Sequence, residues 1–253
     1  MPGMRLIRRP RLNRQKETMI LWSNMLKLRI VVLVVWLLAF AYQPNDAQKK
    51  KGLTMIDKEK LAERIKPISD GLAPIVRLDG TKIEQAETPF FKRGEIYTVI
   101  YLGGSHPIVF TVGTAQEDFT VLLPLNPKGF IELKNKAGLR PFESKKEILQ
   151  YAVTFLKTTR SFSENFRIIE KFDDINLIPQ PTNEEKQQYD TLKDKFASDI
   201  QPPQISGNSP WKVTVFVIKR RSLVRINAAV SADGTIETTE TVLEEALPIP
   251  FTR

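Results

Sequence analysis

The feature that most constrains this chain is an uncharged apolar run, IVVLVVWLLAFAY, at residues 30–42. A helix that spans the hydrocarbon core of a bilayer needs about 20 apolar residues, so this run is short for a membrane span and suits the core of a signal peptide. Lys27 and Arg29 directly precede it, and positive charge in that place stays on the cytoplasmic side. The sequence therefore predicts a chain that leaves the cytoplasm.

Small residues after the run offer two cleavage sites within the predicted leader, residues 1–47. Ala39 and Ala41 fit the A-x-A pattern that precedes signal-peptide cleavage, and Ala47 gives a second, looser site. Cleavage near Ala41 or Ala47 predicts a periplasmic or secreted protein. Without cleavage, residues 30–42 predict a single-pass membrane anchor, and the sequence leaves both outcomes open.

The length of the segment ahead of the apolar run bears on this choice, because 29 residues is long for the charged part of a cleaved signal. A start at Met25 would leave a compact signal, and Met19 is a second internal methionine. A start at Met1 favours an uncleaved anchor.

The net charge of +9 is unevenly distributed along the chain. Residues 1–29 hold eight basic residues and one acid, so all but two of the net positive charges belong to this segment. A domain that binds a nucleic-acid duplex needs a dense basic face. We therefore expect no nucleic-acid partner for the folded body.

Cysteine is absent, and His106 is the only histidine. The first absence excludes disulfides, thiol nucleophiles and cysteine-based metal sites. The second excludes zinc sites that need two imidazoles from one chain. His106 lies in the turn sequence Gly-Gly-Ser-His-Pro, so we predict a loop residue there, and neither a metal nor a cofactor for the chain.

Hydrophobic periodicity predicts a mixture of helices and strands after a linker at residues 48–56. The N-terminal part is predicted to begin with a helix at 57–68, followed by a hairpin that turns at Asp79-Gly80 and joins strands at 75–78 and 81–83. Further strands are predicted at 95–102, 107–112, 119–123 and 129–133.

Two capping boxes mark helices in the C-terminal part. Ser144 with Glu147 predicts a helix at 145–158, and Thr182 with Glu185 predicts a second, amphipathic one that ends before Pro202. Strands are predicted at 166–172 and 175–178. The chain is then predicted to end in a three-strand meander at 211–219, 223–231 and 235–243, whose last turn is Asp233-Gly234, and in an extended tail.

These elements predict an α+β fold with antiparallel sheets packed on two or three helices. A boundary near residue 140 divides it into a β-rich part, 57–140, and an α+β part, 141–253, although 57–253 also suits one domain. The order of elements in the second part is typical of a curved sheet wrapped on helices, as in cystatin-like or NTF2-like folds. That is a likeness of architecture, and fold alone does not give function.

One basic cluster in the body is a candidate binding site. Lys219, Arg220, Arg221 and Arg225 surround a predicted hairpin tip and could meet an anionic headgroup, a nucleic acid or an acidic partner. The alternative is a charged turn that keeps a sheet edge soluble. The adjacent acids Asp173-Asp174 and Glu244-Glu245 point to opposite sides of an extended chain, so we expect solvated loops there.

Two functions from different classes fit these observations. The first is an exported or membrane-tethered, non-catalytic envelope protein whose body binds an unknown protein or small ligand. The alternative is an extracytoplasmic hydrolase that uses two carboxylates from separate elements, without metal or thiol.

Overall fold

The computed structural model describes residues 55–104, 106–116 and 118–250, except for the side chains of residues 55–57 and 163. Residues Gly52–Arg253 form one compact unit. The described helices are α1 (Met55–Ile65), α2 (Ala73–Arg77), α3 (Pro127–Ala137), α4 (Lys145–Thr158) and α5 (Asn183–Phe196), and short 3-10 turns cover Phe162–Glu164 and Phe172–Asp174. The described strands are β1 (Lys82–Ala86), β2 (Gly94–Tyr101), β3 (Ile108–Ala115), β4 (Phe119–Leu122), β5 (Arg167–Ile169), β6 (Gln204–Ser206), β7 (Trp211–Lys219), β8 (Ser222–Val230) and β9 (Ile236–Glu244).

The fold is α+β with antiparallel sheets, as predicted. Strands β1 to β4 form one sheet in chain order, and the second sheet has the order β5-β7-β8-β9 with β6 also paired to β7. Among the described helices, none is both long and apolar enough to cross a membrane. The predicted signal or anchor helix at 30–42 lies outside the described residues.

The first sheet is covered on both faces. Successive residues of a strand point to opposite faces, and in β2 Tyr97 and Val99 belong to the core shared with α1 and α2, whereas Ile96 belongs to the core shared with α3 and α4. The second of these cores, which we call the central core, also contains Val215 of β7 and Ile226 of β8. One hydrophobic core therefore joins the two sheets across the predicted boundary near residue 140.

The predicted hairpin at residues 75–83 is wrong, because its first arm is helix α2. Pro74 takes a position in the first turn, where a missing N–H costs nothing, and the helix buries Ala73 and Val76. Gly80 does adopt a positive φ of 82°. The Asp79-Gly80 turn thus exists, but it leads from a helix into β1.

The strand predicted at 129–133 is also wrong, because these residues lie within helix α3. The side chain of Asn126 caps the helix by accepting a hydrogen bond from the Gly129 N–H at 2.8 Å. Phe130, Leu133 and Ala137 then lie on one buried face at helical spacing.

The predicted helices at 145–158 and after Thr182 are confirmed. Ser144 Oγ accepts from the Glu147 N–H at 3.2 Å, although the Glu147 carboxylate accepts from Glu143 and not from Ser144. At α5 both halves of the capping box form between Thr182 and Glu185.

The C-terminal meander is confirmed, and β7 is buried on both faces. Val213, Val215 and Val217 face the central core, whereas Phe216 and Ile218 face a second core with α5. The strand predicted at 166–172 is only the three-residue β5, and residues 175–178 form no strand. Strand β6 was missed, because Pro202, Pro203 and Gly207 make its surroundings resemble a loop.

The tail after β9 lies along the body, as predicted for a segment with two prolines, but it is not extended throughout, because Ala246 has a positive φ of 52°. The Leu247 N–H donates to the Arg221 carbonyl at 2.8 Å, and the Ile178 N–H donates to the Pro248 carbonyl at 3.1 Å. Leu247 and Ile249 are buried in the core beneath α5.

Candidate functional site

The basic cluster lies at the tip of the β7–β8 hairpin, where Arg220 and Arg221 form the turn. Arg220 has a positive φ of 59°, and its N–H donates to the Glu164 carbonyl at 2.6 Å. The tip is therefore fixed against the segment before β5.

Lys219 and Arg221 are both held by contacts within the fold. Lys219 Nζ lies 2.8 Å from a carboxylate oxygen of Glu240 on β9. Both Nε and Nη2 of Arg221 donate to the Leu247 carbonyl, at 3.0 and 2.8 Å. These contacts hold β9 and the C-terminal tail to the hairpin.

The structure does not bring all four cations to one surface. Lys219 continues the face of Val217, which points to the central core, whereas Arg225 lies on the opposite face of the sheet from its neighbours Val224 and Ile226. The Arg220 guanidinium is 73 % exposed and 3.9 Å from Glu164. Arg220 and the exposed Arg225 are therefore the cations of this cluster that can meet a partner, each on its own side of the hairpin.

A cleft of about 780 Å³ lies between the β3–β4 turn and the end of α3. It is lined by Arg93, Gln116, Asp118, Phe119 and Lys136. Arg64 of α1 holds the β3–β4 turn in place, because its guanidinium donates to the Gln116 and Phe119 carbonyls at 2.7 and 2.9 Å. The result is a polar, open depression on a fixed turn, and its described lining includes two cations and one acid.

A buried polar clamp holds the β8–β9 turn, and sequence reasoning missed it. Tyr151 of α4 is fully buried, and its hydroxyl donates to the Gly234 carbonyl at 2.8 Å. Lys134 of α3 is 8 % exposed, and its ammonium donates to the Asp233 carbonyl at 3.0 Å. We call these four residues the turn clamp.

The pKa shifts of the ionisable side chains of Tyr151 and Asp233 in the turn clamp indicate a structural role. Burial, with a smaller contribution from Asp233, raises the pKa of the Tyr151 hydroxyl far above its usual range. The backbone and side-chain hydrogen bonds of Thr235 hold the pKa of the Asp233 carboxyl below its usual value. Tyr151 is thus kept protonated, and a tyrosine in that state cannot serve as a base.

This raised pKa predicts a pH dependence of stability. Above pH 10 the unfolded Tyr151 loses its proton while the folded one keeps it, so the free energy of unfolding falls as pH rises, by up to roughly 1.4 kcal/mol per pH unit. We expect Tyr151→Phe to lose about 1 kcal/mol at neutral pH, because the Gly234 carbonyl loses its donor. We also expect it to show a shallower fall between pH 10 and 12. Urea denaturation of both proteins across this range measures the slopes, and equal slopes would contradict the assignment.

The adjacent acids do not form a shared site. Asp174 accepts from the Glu170 and Lys171 N–H groups, which lower its pKa, whereas Asp173 pairs with Lys193 of α5 at 3.0 Å. Glu244 pairs with Lys195 at 3.2 Å. Within the described residues there is no group of three or more His, Cys, Asp or Glu side chains that could hold a metal ion.

His106 and Trp211 have ordinary structural positions. His106 is exposed in the β2–β3 turn, and Trp211 packs against Phe142 with ring centroids 6.0 Å apart at the margin of the central core. In the described part of the chain, every buried side-chain nitrogen and oxygen has a hydrogen-bond partner.

Comparisons with known proteins return no match: no family model, curated protein or solved structure is similar to this chain. The cystatin-like or NTF2-like arrangement of the C-terminal part therefore stays a prediction.

Proposed function

We propose that this chain is an exported or membrane-tethered, non-catalytic envelope protein, and that its α+β body binds a protein or small ligand through its surface. One observation supports a binding function above the others: the buried polar side-chain atoms of the described interior all have hydrogen-bond partners. Catalytic groups are commonly buried polar groups that the fold leaves available to a substrate. In the described interior each such side-chain atom is already engaged by the protein.

The carboxyl groups support the same proposal. A carboxylic acid that donates a proton at neutral pH needs a raised pKa. The described carboxyl groups with a clear shift are Glu59, Asp174 and Asp233, and each has its pKa lowered by hydrogen bonds. We therefore assign the binding function to the surface. There, the cleft near Lys136 and the exposed side chain of Arg220 can contact a partner.

Export is supported by the sequence ahead of the folded body. Residues Gly52–Arg253 form a compact unit. The apolar run at 30–42 precedes this unit, and a signal or anchor is the use that its length and basic flank favour.

Localisation of the full-length chain tests the proposal. We expect either a mature product that begins near Tyr42 or Gln48 outside the cytoplasm, or an intact chain in the membrane fraction. Val34→Arg should block export, because a charge at the centre of the run opposes insertion by about 2.5 to 3.5 kcal/mol. Val34→Leu is the matched control and should leave export unchanged. N-terminal sequencing of each fraction gives the result, and an intact, soluble wild-type chain in the cytoplasm would contradict export.

A further inference from the structure

Strand β9 is the long open edge of the second sheet. It pairs with β8 on one side, and none of the other described strands pairs with its outer side. The opposite edge, on β7, is covered along its length by the two short strands β6 and β5. The outer strands of the first sheet, β1 and β4, have only five and four residues.

The outer edge of β9 is regular over seven residues. Residues 236–242 pair with β8 without interruption, and a register shift then follows, because Leu223 pairs with Glu244 and leaves Leu243 as an extra residue. Such a bulge bends a strand and ends regular pairing. Thr239 is the midpoint of the regular stretch.

This stretch is also exposed. Residues 237–242 are all exposed, and Val242 is 52 % exposed, the one large hydrophobic residue with such exposure inside a described strand. Unpaired N–H and C=O groups on an exposed edge are a template for another strand. Natural edges are usually shortened or blocked with charged residues, above all lysine, or with proline. Residues 236–242 contain two glutamates but neither lysine nor proline.

We propose that β9 pairs with β9 of a second copy of this chain, antiparallel, across a two-fold axis at Thr239. In this register Ile236 lies opposite Val242 of the other copy, which places apolar beside apolar. Glu237 lies opposite Thr241, and Thr238 lies opposite Glu240, so each carboxylate faces a hydroxyl that can donate to it. The two Thr239 residues face each other, a pair that stabilises sheets.

Neighbouring two-fold registers are less favourable. An axis at Glu240 places that residue opposite its own copy, and like charges in direct opposition destabilise a sheet. An axis at Thr238 places Ile236 opposite Glu240 and leaves Val242 beyond the regular overlap. The self-pairing at Thr239 joins two five-stranded sheets into one and removes both open edges, as closed two-fold assemblies do.

The absence of native cysteine allows a direct test. We expect full-length Thr239→Cys to form a disulfide-linked dimer in an oxidising compartment, because the two Cβ atoms face each other across the axis. Thr241→Cys is the matched control, on the same strand and face. Its two copies would lie four residues apart along the strands, about 13 Å, and a disulfide cannot span more than about 7 Å between Cα atoms.

A mixture of Glu237→Cys and Thr241→Cys chains adds a second readout, since these positions face each other and should give only the mixed dimer. Non-reducing gels and mass spectrometry identify each product, and circular dichroism checks that each variant is folded. Equal cross-linking of Thr239→Cys and Thr241→Cys would overturn the register. A folded Thr239→Cys protein that stays monomeric, or that links to a different protein, would overturn the pairing of two copies.

Discussion

Replacing Gly234 by alanine should lower the free energy of unfolding by about 3 kcal/mol. Gly234 has a φ of 77°, where a Cβ costs about 1 kcal/mol of backbone energy. That Cβ would also lie 2.7 Å from Leu139 Cδ2 and 3.0 Å from both Lys134 Cδ and the Tyr151 hydroxyl. Overpacking of this kind typically costs a further 1 to 3 kcal/mol. Urea denaturation of the full-length chain measures the loss.

Gly80 provides a matched control for this prediction. It also follows an aspartate and has a φ of 82°, but a Cβ there would meet nothing within 4 Å. Gly80→Ala should therefore show only the backbone cost, about 1 kcal/mol. Equal losses for the two alanine variants would mean that the β8–β9 turn is not held between α3 and α4.

The same two Asp-Gly pairs show how far local sequence could predict this fold. Each pair predicts a turn, and each glycine does take a positive φ. The sequence before Asp233 is the strand β8, so that turn is a hairpin, whereas the residues before Asp79 form helix α2, with Pro74 in its first turn. A turn signal therefore gives the reversal of the chain, and the type of element on either side depends on packing that the turn does not encode.

Capping residues were the most reliable local signals. Ser144 and Thr182 each predicted a helix start that the structure confirms, because a cap depends on residues only three positions apart. The same reasoning overlooked Asn126. Its side chain caps helix α3, which contains the residues 129–133 that were predicted as a strand. A capping residue followed by Pro127 was the signal that could have corrected it.

Long-range contacts explain why the polar features were harder to predict. Lys134 and Asp233 are 99 residues apart, and in the sequence Lys134 resembles any lysine on the exposed face of an amphipathic helix. For the basic cluster, proximity in the chain suggested one patch. Strand alternation across the β7–β8 turn instead separates Lys219 from Arg225, so only the pairing register shows which cations share a surface.

Phe130→Ala should give the largest loss of stability, about 4 kcal/mol. The Phe130 side chain is 1 % exposed, and its ring contacts those of Phe155, Tyr151 and Phe91 at centroid distances of 5.2, 5.6 and 6.1 Å. Removal of a buried phenyl group typically costs 3 to 5 kcal/mol, because the transfer energy is lost and a cavity remains. This loss in the free energy of unfolding should not change with pH near neutrality, since Phe130 has no titratable group.

Ile131, the next residue of α3, is the control that separates helix from strand. It is 37 % exposed, and alanine has the higher helix propensity, so Ile131→Ala should change the free energy of unfolding by less than about 1 kcal/mol. A strand at 129–133 would instead place Ile131 beside the buried Leu133 on one face. A loss for Ile131→Ala as large as that for Phe130→Ala would then favour the strand and contradict α3. Denaturation of the two full-length variants side by side decides between these outcomes.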